Sequence, residues 1–359
     1  MELAQKDIEV RKLTKSNFRS LAVFLCSFKV NETEDYWLER FHHWWEENPS
    51  FNKESFMGSI LISKDGIVGF VGNIPTTFIL DKNPLNVANI TTWRVDDNYK
   101  YLSLKLFAHY LSSIKSQYIF TTTPNEVVRR LLPRYDFETI KQPYDTDIVF
   151  NIHTKFSNIF FNNRLLRFVP KSLETLFFFL LFVSRKINLY SKCSKSKLVL
   201  KFESSISEMH TLNNNFSKNY DLINLRNKET LNWYSNSPCS KKTFLTCYDG
   251  DRLVAYFCLR HYLEEESALE IFDFLYHSDY VNNLNLFILS ILNYSYIRRF
   301  SKVIFVGYND DLALSAKNFL VKRLVKHKKK EFVKVPFQMK KRYPVARKFF
   351  TRTIGDIGL

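Results

Sequence analysis

A chain of 359 residues with 45% hydrophobic content is long and apolar enough to build two compact domains, which excludes a disordered protein. Five cysteines, Cys26, Cys193, Cys239, Cys247 and Cys258, lie far apart without a C-x-x-C pair, so neither a disulfide framework nor a zinc site is expected and a reducing cytoplasm fits best. The formal charge of +16 attracts anions, yet the bases are scattered and no zinc-finger or RNA-recognition spacing occurs, so nucleic acid is not the expected partner. With 34 Phe, 19 Tyr and only 8 Gly, packed helices and sheets are expected rather than loops. The first thirteen residues, MELAQKDIEVRKL, contain no apolar run, so no secretory signal is read there. The apolar run 176–183 falls well short of the roughly 20 residues that cross a bilayer, and no transmembrane helix is expected.

In chain order, residues 33–48 form an amphipathic helix, capped by Asn31, with Glu34 and Asp35 in its first turn and Pro49 after its end. Trp37, Phe41 and Trp44 recur on one face and read as core. His42 and His43 are adjacent on that helix, cannot both face one metal, and are assigned surface or packing roles. A hairpin turns at Asp65-Gly66 within 59–74. A strand follows at 88–95, then a polar turn, then a helix from 102 to 113 with Leu104, Phe107, Ala108 and Leu111 on its apolar face. Next come a strand over 118–125, ending at a Pro-Asn turn, and a short helix over 126–137 interrupted at Pro133.

The same order returns: a hairpin around Asp249-Gly250, a strand over 268–276, a helix over 283–296 and a strand over 302–309. Asp65 to Asp249 and Asn125 to Asn309 are each separated by 184 residues, which predicts an internal duplication. The expected division is 1–152, a linker at 153–200 and 201–359. In the linker, an apolar helix is flanked by Arg164, Arg167, Lys171, Arg185, Lys186 and further lysines. It suits either a packed linker or an in-plane helix on an anionic membrane surface. A basic zone at 322–342 reads as a solvated face or loop leading to a last strand near 349–354.

The turn in TWRVDDNYKYLSLKL, residues 92–106, carries lysines at the start of a helix, where free backbone amides suit a phosphate. Taken with the element order, it resembles the GNAT superfamily of acyl-CoA-dependent N-acyltransferases. The resemblance implies an α/β (α+β) fold of two tandem domains, each a mixed, mostly antiparallel sheet flanked by helices. It also implies acetyl-CoA or another acyl-CoA as co-substrate and no metal. Carried onto this chain, the strand end that meets the acyl-CoA is Val95. The pyrophosphate turn is Lys100, Tyr101, Leu102, Ser103, Leu104 and Lys105, with Asn125 closing the next strand. Serine and lysine stand where the family has glycine and a small residue, and the added side chains crowd the approach to a phosphate. The segment Tyr135-Asp136-Phe137 is similar to the family's tyrosine-to-glycine-phenylalanine region; the usual tyrosine falls on Leu132, leaving Tyr135 as its candidate substitute.

The second copy has no basic residue or glycine at its turn, so the first copy is expected to bind the donor and the second to face the acceptor. Acyl transfer needs proton removal from an amine and polarisation of a thioester carbonyl. The candidate catalytic residues are Asp273, His277 and Tyr135, with backbone amides near Val95 polarising the carbonyl. The isolated histidines, His109 and His261 among them, read as structural. Expected function is N-acyl transfer to a small-molecule or sugar amine, with an amino sugar of surface polysaccharide synthesis as first candidate. The expected location is cytoplasmic, with peripheral contact at the inner face of an anionic membrane. Two other readings are Fem-like aminoacyl transfer from tRNA to a cell-wall precursor and a catalytically inactive binding module.

Overall fold

The computed structural model describes residues 8–28, 32–114, 118–121, 124–139, 148–151, 197–205, 208–212, 221–238, 240–262, 268–300, 302–305, 338–340 and 348–349, with single positions between 176 and 191. In chain order the elements are β1 (Glu9–Lys12), α1 (Phe18–Cys26), α2 (Glu34–Phe41), β2 (Gly58–Ser63), β3 (Gly66–Leu80), β4 (Asn83–Val95), α3 (Ser103–Ser113), β5 (Tyr118–Thr121), α4 (Glu126–Leu131) and β6 (Phe137–Thr139). There follow β7 (Ile148–Asn151), β8 (Leu198–Glu203), β9 (Leu222–Asn224), α5 (Lys228–Ser235), β10 (Lys242–Asp249), β11 (Arg252–Tyr262), β12 (Ala268–Tyr276), α6 (Leu284–Ile297), β13 (Lys302–Phe305), β14 (Gln338–Lys340) and β15 (Lys348–Phe349).

These strands form two mixed sheets, ordered β1-β2-β3-β4-β5-β14-β6, with β9 beside β3 and β15 beside β9, and β7-β13-β12-β11-β10-β8. The first sheet sorts its side chains by strand alternation. Ile60, Phe70 and Ile74 meet Leu21, Trp37, Phe41 and Trp44 from the α1–α2 side. Leu61, Val71 and Ala88 point the other way, onto Leu106, Phe107 and Tyr110 of α3. Each Leu, Ile, Val or Phe side chain among them contributes about 1.5–3 kcal/mol when taken from water. The apolar face of α3 is therefore Leu106, Phe107 and Tyr110, while Leu104 and Ala108 are exposed. Of the four positions expected on that face, Phe107 is buried and Leu111 packs partly buried against the same core.

Helix α2 starts at Thr33, whose side chain accepts from the Tyr36 amide, with Glu34 and Asp35 in the first turn. Asn31, the expected cap, lies outside the described residues. The helix then widens into a π-helical turn over His42–Glu46, which turns both Trp44 and Trp45 into the core. The same turn buries His43, whose ring stacks on Trp233 of α5 at 5.3 Å, while His42 stays exposed beside Glu46.

Hairpin β2–β3 turns at the expected Asp65-Gly66, but β3 and β4 run on to a second turn at Asp81-Lys82, both with positive φ. Strand β5 is described over Tyr118–Thr121, with Pro124 and Asn125 outside any strand, and β13 is described only to Phe305. The order of hairpin, strand, 3₁₀ turn, helix and parallel strand recurs in the second sheet. Its spacing is not constant: β4 and β12 end at Val95 and Tyr276, 181 apart, whereas β5 and β13 start at Tyr118 and Lys302, 184 apart.

The sheets do not divide the chain between 152 and 201. Strand β7 pairs with β13 of the second sheet, and β9, β14 and β15 belong to the first. Gln338–Lys340, within the basic zone expected to be a solvated face or loop, lies as β14 between β5 and β6. The Trp233 indole also donates to the His43 carbonyl at 2.8 Å, fixing α5 against the first sheet's helical layer. The linker over 164–197 falls almost wholly outside the described residues. Among the described residues, no helix is long and apolar enough to cross a membrane, and no group of three His, Cys, Asp or Glu could hold a metal.

Candidate active site

Strands β4 and β5 run parallel from the Val87–Tyr118 pair to the Ile90–Thr121 pair, the last pair between them among the described residues. Strand β4 continues for five residues, Thr91–Val95, past that pair, and Pro124 and Asn125 already lie outside any strand, so among the described residues this edge has no β5 pairing. Such an edge offers backbone donors and acceptors to an extended ligand. On the far side of β4 the register breaks. Arg94 faces Phe70 and Thr91 faces Gly72, so Thr92 and Trp93 together oppose Val71. That is a β-bulge, and Thr92 adopts φ 46 within it. Gly72 permits the close approach: a Cβ there would stand 2.7 Å from both the Phe70 ring and the Thr91 methyl.

Past the bulge, successive side chains alternate between the two faces of the sheet. Trp93 stacks on Phe107 of α3 at 4.3 Å, while the Arg94 guanidinium lies over Phe28 at 5.8 Å on the α1–α2 face. A cleft of ≈ 290 Å³ occupies the gap. Leu25, Phe28, Trp37 and Arg40 form one wall, the bulged part of β4 the floor, and Asn125, Val128 and Leu132 the wall after β5. Glu32 is the one carboxylate in its described lining. Arg40 is oriented by the rings of Tyr36, Trp37 and Trp44, at 5.5, 5.3 and 4.6 Å, and by a 2.7 Å hydrogen bond to the Tyr36 hydroxyl.

The residues expected to form the site are distributed differently. Asn125 lines the cleft, but its side chain caps α4 by accepting from the Val128 amide at 2.9 Å. Val95 is buried toward α3, and Asp96 caps the following 3₁₀ turn by accepting from the Asn98 amide. The segment from Lys100 to Lys105 is helical, not an open loop: the Ser103 amide already donates to the Lys100 carbonyl. Lys100 pairs with Asp97 at 2.8 Å, Leu102 is buried, and Tyr101, Leu104 and Lys105 are exposed. This is not an amide cradle of the glycine-rich kind, because the first turn presents Asp96 and Asp97 and its amides are engaged. Tyr135 packs edge-on against Phe107 at 5.1 Å.

Asp273 stands in the interior of the second sheet, outside the lining of the cleft. Arg226 donates to both of its oxygens at 2.7 Å, and the Tyr256 hydroxyl, itself accepting from Arg226, donates at 2.8 Å. Burial opposes the Arg226 charge, but Asp273 and Tyr256 beside it raise its pKa above the ordinary value. A carboxylate engaged in this way holds a buried cation and is not placed to take a proton from an acceptor in the cleft. His277 caps the 3₁₀ turn after β12, its ring accepting from the Asp279 amide at 3.4 Å. The features that residue patterns missed are Arg40, Glu32 and the Thr92 bulge with Arg94. The available signal was an arginine interrupting the apolar strand TTWRV and another beside the tryptophans of α2.

No family model and no curated protein matches the chain. Its likeness is to solved structures. A GCN5-related N-acetyltransferase from Anabaena variabilis ATCC 29413 superposes with TM-score 0.56 at 11% identity, covering 92% of this chain and 72% of that one. A conserved protein of unknown function from Enterococcus faecalis V583 gives 0.55 at 10% identity, covering 92% and 71%. Saccharomyces cerevisiae N-myristoyltransferase with bound myristoyl-CoA gives 0.52 at 11%, covering 93% and 82%. At these identities the likeness establishes the fold.

Proposed function

We propose that this chain, which has the fold of the GCN5-related N-acetyltransferases, is an acyl-CoA-dependent N-acyltransferase whose donor arm lies in the gap between β4 and β5. The observation that carries the reading is a β-bulge in β4 just past its last described pair with β5, with a cleft of ≈ 290 Å³ lined by both strands. A bound donor supplies the activated acyl thioester. The open edge of β4 over Thr91–Val95 hydrogen-bonds the amide-bearing arm as a further strand would, and backbone N–H groups of that edge polarise the thioester carbonyl. Trp37, Ile90 and Leu132 exclude water from the reacting carbonyl. The acceptor amine enters from the α1–α2 side. Glu32, as the cleft's described carboxylate, is the residue assigned to hold and deprotonate it.

The turn over Lys100–Lys105 fits a pyrophosphate only in part. Lys100 would exchange Asp97 for a phosphate, acting as a point charge rather than through an amide cradle. The later half of the chain supports the first sheet through β9, which pairs with β3, and through α5. An amino sugar, the acceptor expected from the sequence, is one amine of the required kind.

The test is unfolding temperature with and without acetyl-CoA and longer acyl-CoAs. A ligand of the native state present at a hundred times its dissociation constant stabilises by about 2.7 kcal/mol. A dose-dependent rise supports the reading, and no rise with any acyl-CoA replaces it with that of a binding module.

A further inference from the structure

The cleft carries charge that an acyl donor's arm does not need. Arg40 and Arg94 both line it, one from α2 and one from the β4 bulge. Arg40 is held on aromatic faces and makes one hydrogen bond, to Tyr36. Arg94 lies over Phe28. Neither guanidinium is within ion-pair distance of a carboxylate among the described residues, although both stand in the same cleft as Glu32. An acyl-pantetheine arm is uncharged, so it gives neither guanidinium the counter-charge that both lack among the described residues. The donor's phosphates do not account for them. Arg94 stands on the α1–α2 face of the sheet, as its pairing with Phe70 and contact with Phe28 show, whereas the turn leading into α3 serves the opposite face.

We infer that the acceptor is an amine that also bears an acid group, with Arg40 and Arg94 binding the carboxylate or phosphate and Glu32 the ammonium. This rests on the reading of the cleft as an acyl-transfer site and names the class of its second substrate. Guanidinium suits the task because its planar fork pairs two N–H groups with two oxygens of a carboxylate or phosphate. Partial burial against rings strengthens that pairing relative to one in water. One carboxylate opposite two guanidiniums matches an amine and an acid on one small molecule, which a neutral amine would leave half unanswered.

The experiment is calorimetric titration of the full chain, free of donor, at low ionic strength with matched probes: L-alanine against L-alaninamide, and glucosamine 6-phosphate against glucosamine. The acidic member of at least one pair should bind about ten-fold or more tightly than its neutral partner, the scale of a charge-assisted hydrogen bond. Which pair shows the preference distinguishes an amino-acid carboxylate from a sugar phosphate. Arg94→Gln, at an exposed position, should reduce the preference to about three-fold or less without changing the unfolding midpoint. Arg40→Lys, which keeps the charge but loses the fork, should weaken it in part. Equal binding of acidic and neutral members, or a preference that survives Arg94→Gln, overturns the inference. So does an Arg94→Gln variant that loses acyl-CoA affinity and keeps its acid preference, because the arginine then serves the donor. An arginine-dependent acid preference without acyl-CoA binding would sink the donor reading and leave the anionic ligand site standing.

Discussion

Replacing Asp273 with asparagine separates a buried structural ion pair from a catalytic base. The carboxylate is nearly inaccessible, its partner Arg226 is wholly so, and two N–H···O contacts of 2.7 Å join them. Asparagine keeps the size and one acceptor but removes the charge that pairs with the buried guanidinium. Removing one member of a buried pair costs about 3–5 kcal/mol. At about 2–4 °C per kcal/mol for a domain of 150–250 residues, the unfolding midpoint should fall by roughly 10 °C. Urea unfolding followed by far-UV circular dichroism gives the stability loss, and acyl-CoA titration of the folded variant should give an unchanged dissociation constant. Turnover by the folded fraction should fall by less than about ten-fold, below the 10²–10⁴-fold scale of a lost general base. Unchanged stability with a loss on that scale would refute the assignment and return Asp273 to the reaction.

Three further outcomes follow from named contacts. Asp97→Asn should tighten acyl-CoA binding and Lys100→Ala weaken it, each by up to about 1.5 kcal/mol, since the first frees the lysine from its 2.8 Å pair; titrations in which neither moves remove the turn from the donor site. Gly72→Ala should destabilise by about 1–3 kcal/mol through overpacking, because its methyl would meet Phe70 and Thr91 at 2.7 Å, and it should weaken acyl-CoA binding by shifting the bulge; a wild-type midpoint and affinity would show that the bulge tolerates the side chain. Burial lowers the His43 pKa, with Glu47 opposing it in part, so the folded state binds its proton less readily than the unfolded one. Its stability contribution is therefore complete above the unfolded value of about 6.5 and is lost as pH falls below it. Urea midpoints of His43→Phe, which keeps a ring on Trp233, should depend less on pH between 7.5 and 5.5 than those of the parent; equal dependence would assign the titration elsewhere.

Local chemistry made part of this molecule legible. Asp65-Gly66 announced its hairpin, Glu34 and Asp35 announced the start of α2, and Trp37, Phe41 and Trp44 announced the face that packs. The long second half of β3 was hidden by Pro75, which reads as a strand breaker. It is accommodated because it falls between the stretch that pairs with β2 and the stretch that pairs with β9. The turn at Asp81-Lys82 has no glycine to advertise its positive φ. Pairings across hundreds of residues, such as β14 between β5 and β6, leave no local trace. The candidate site was misplaced for a related reason. A lysine-bearing turn is visible in sequence, whereas a bulge is a property of two strands and of the register between them. Asp273 looked available because Arg226, 47 residues away, could not be seen beside it.

Hydrogen–deuterium exchange of the full chain with and without acyl-CoA tests the central claim most directly. Binding should slow exchange at the Thr91–Val95 amides, where β4 has no β5 partner among the described residues, and change little in β10–β12 of the second sheet. Protection confined to the second sheet, or saturating acyl-CoA that leaves Thr91–Val95 unprotected, would contradict a donor arm lying between β4 and β5.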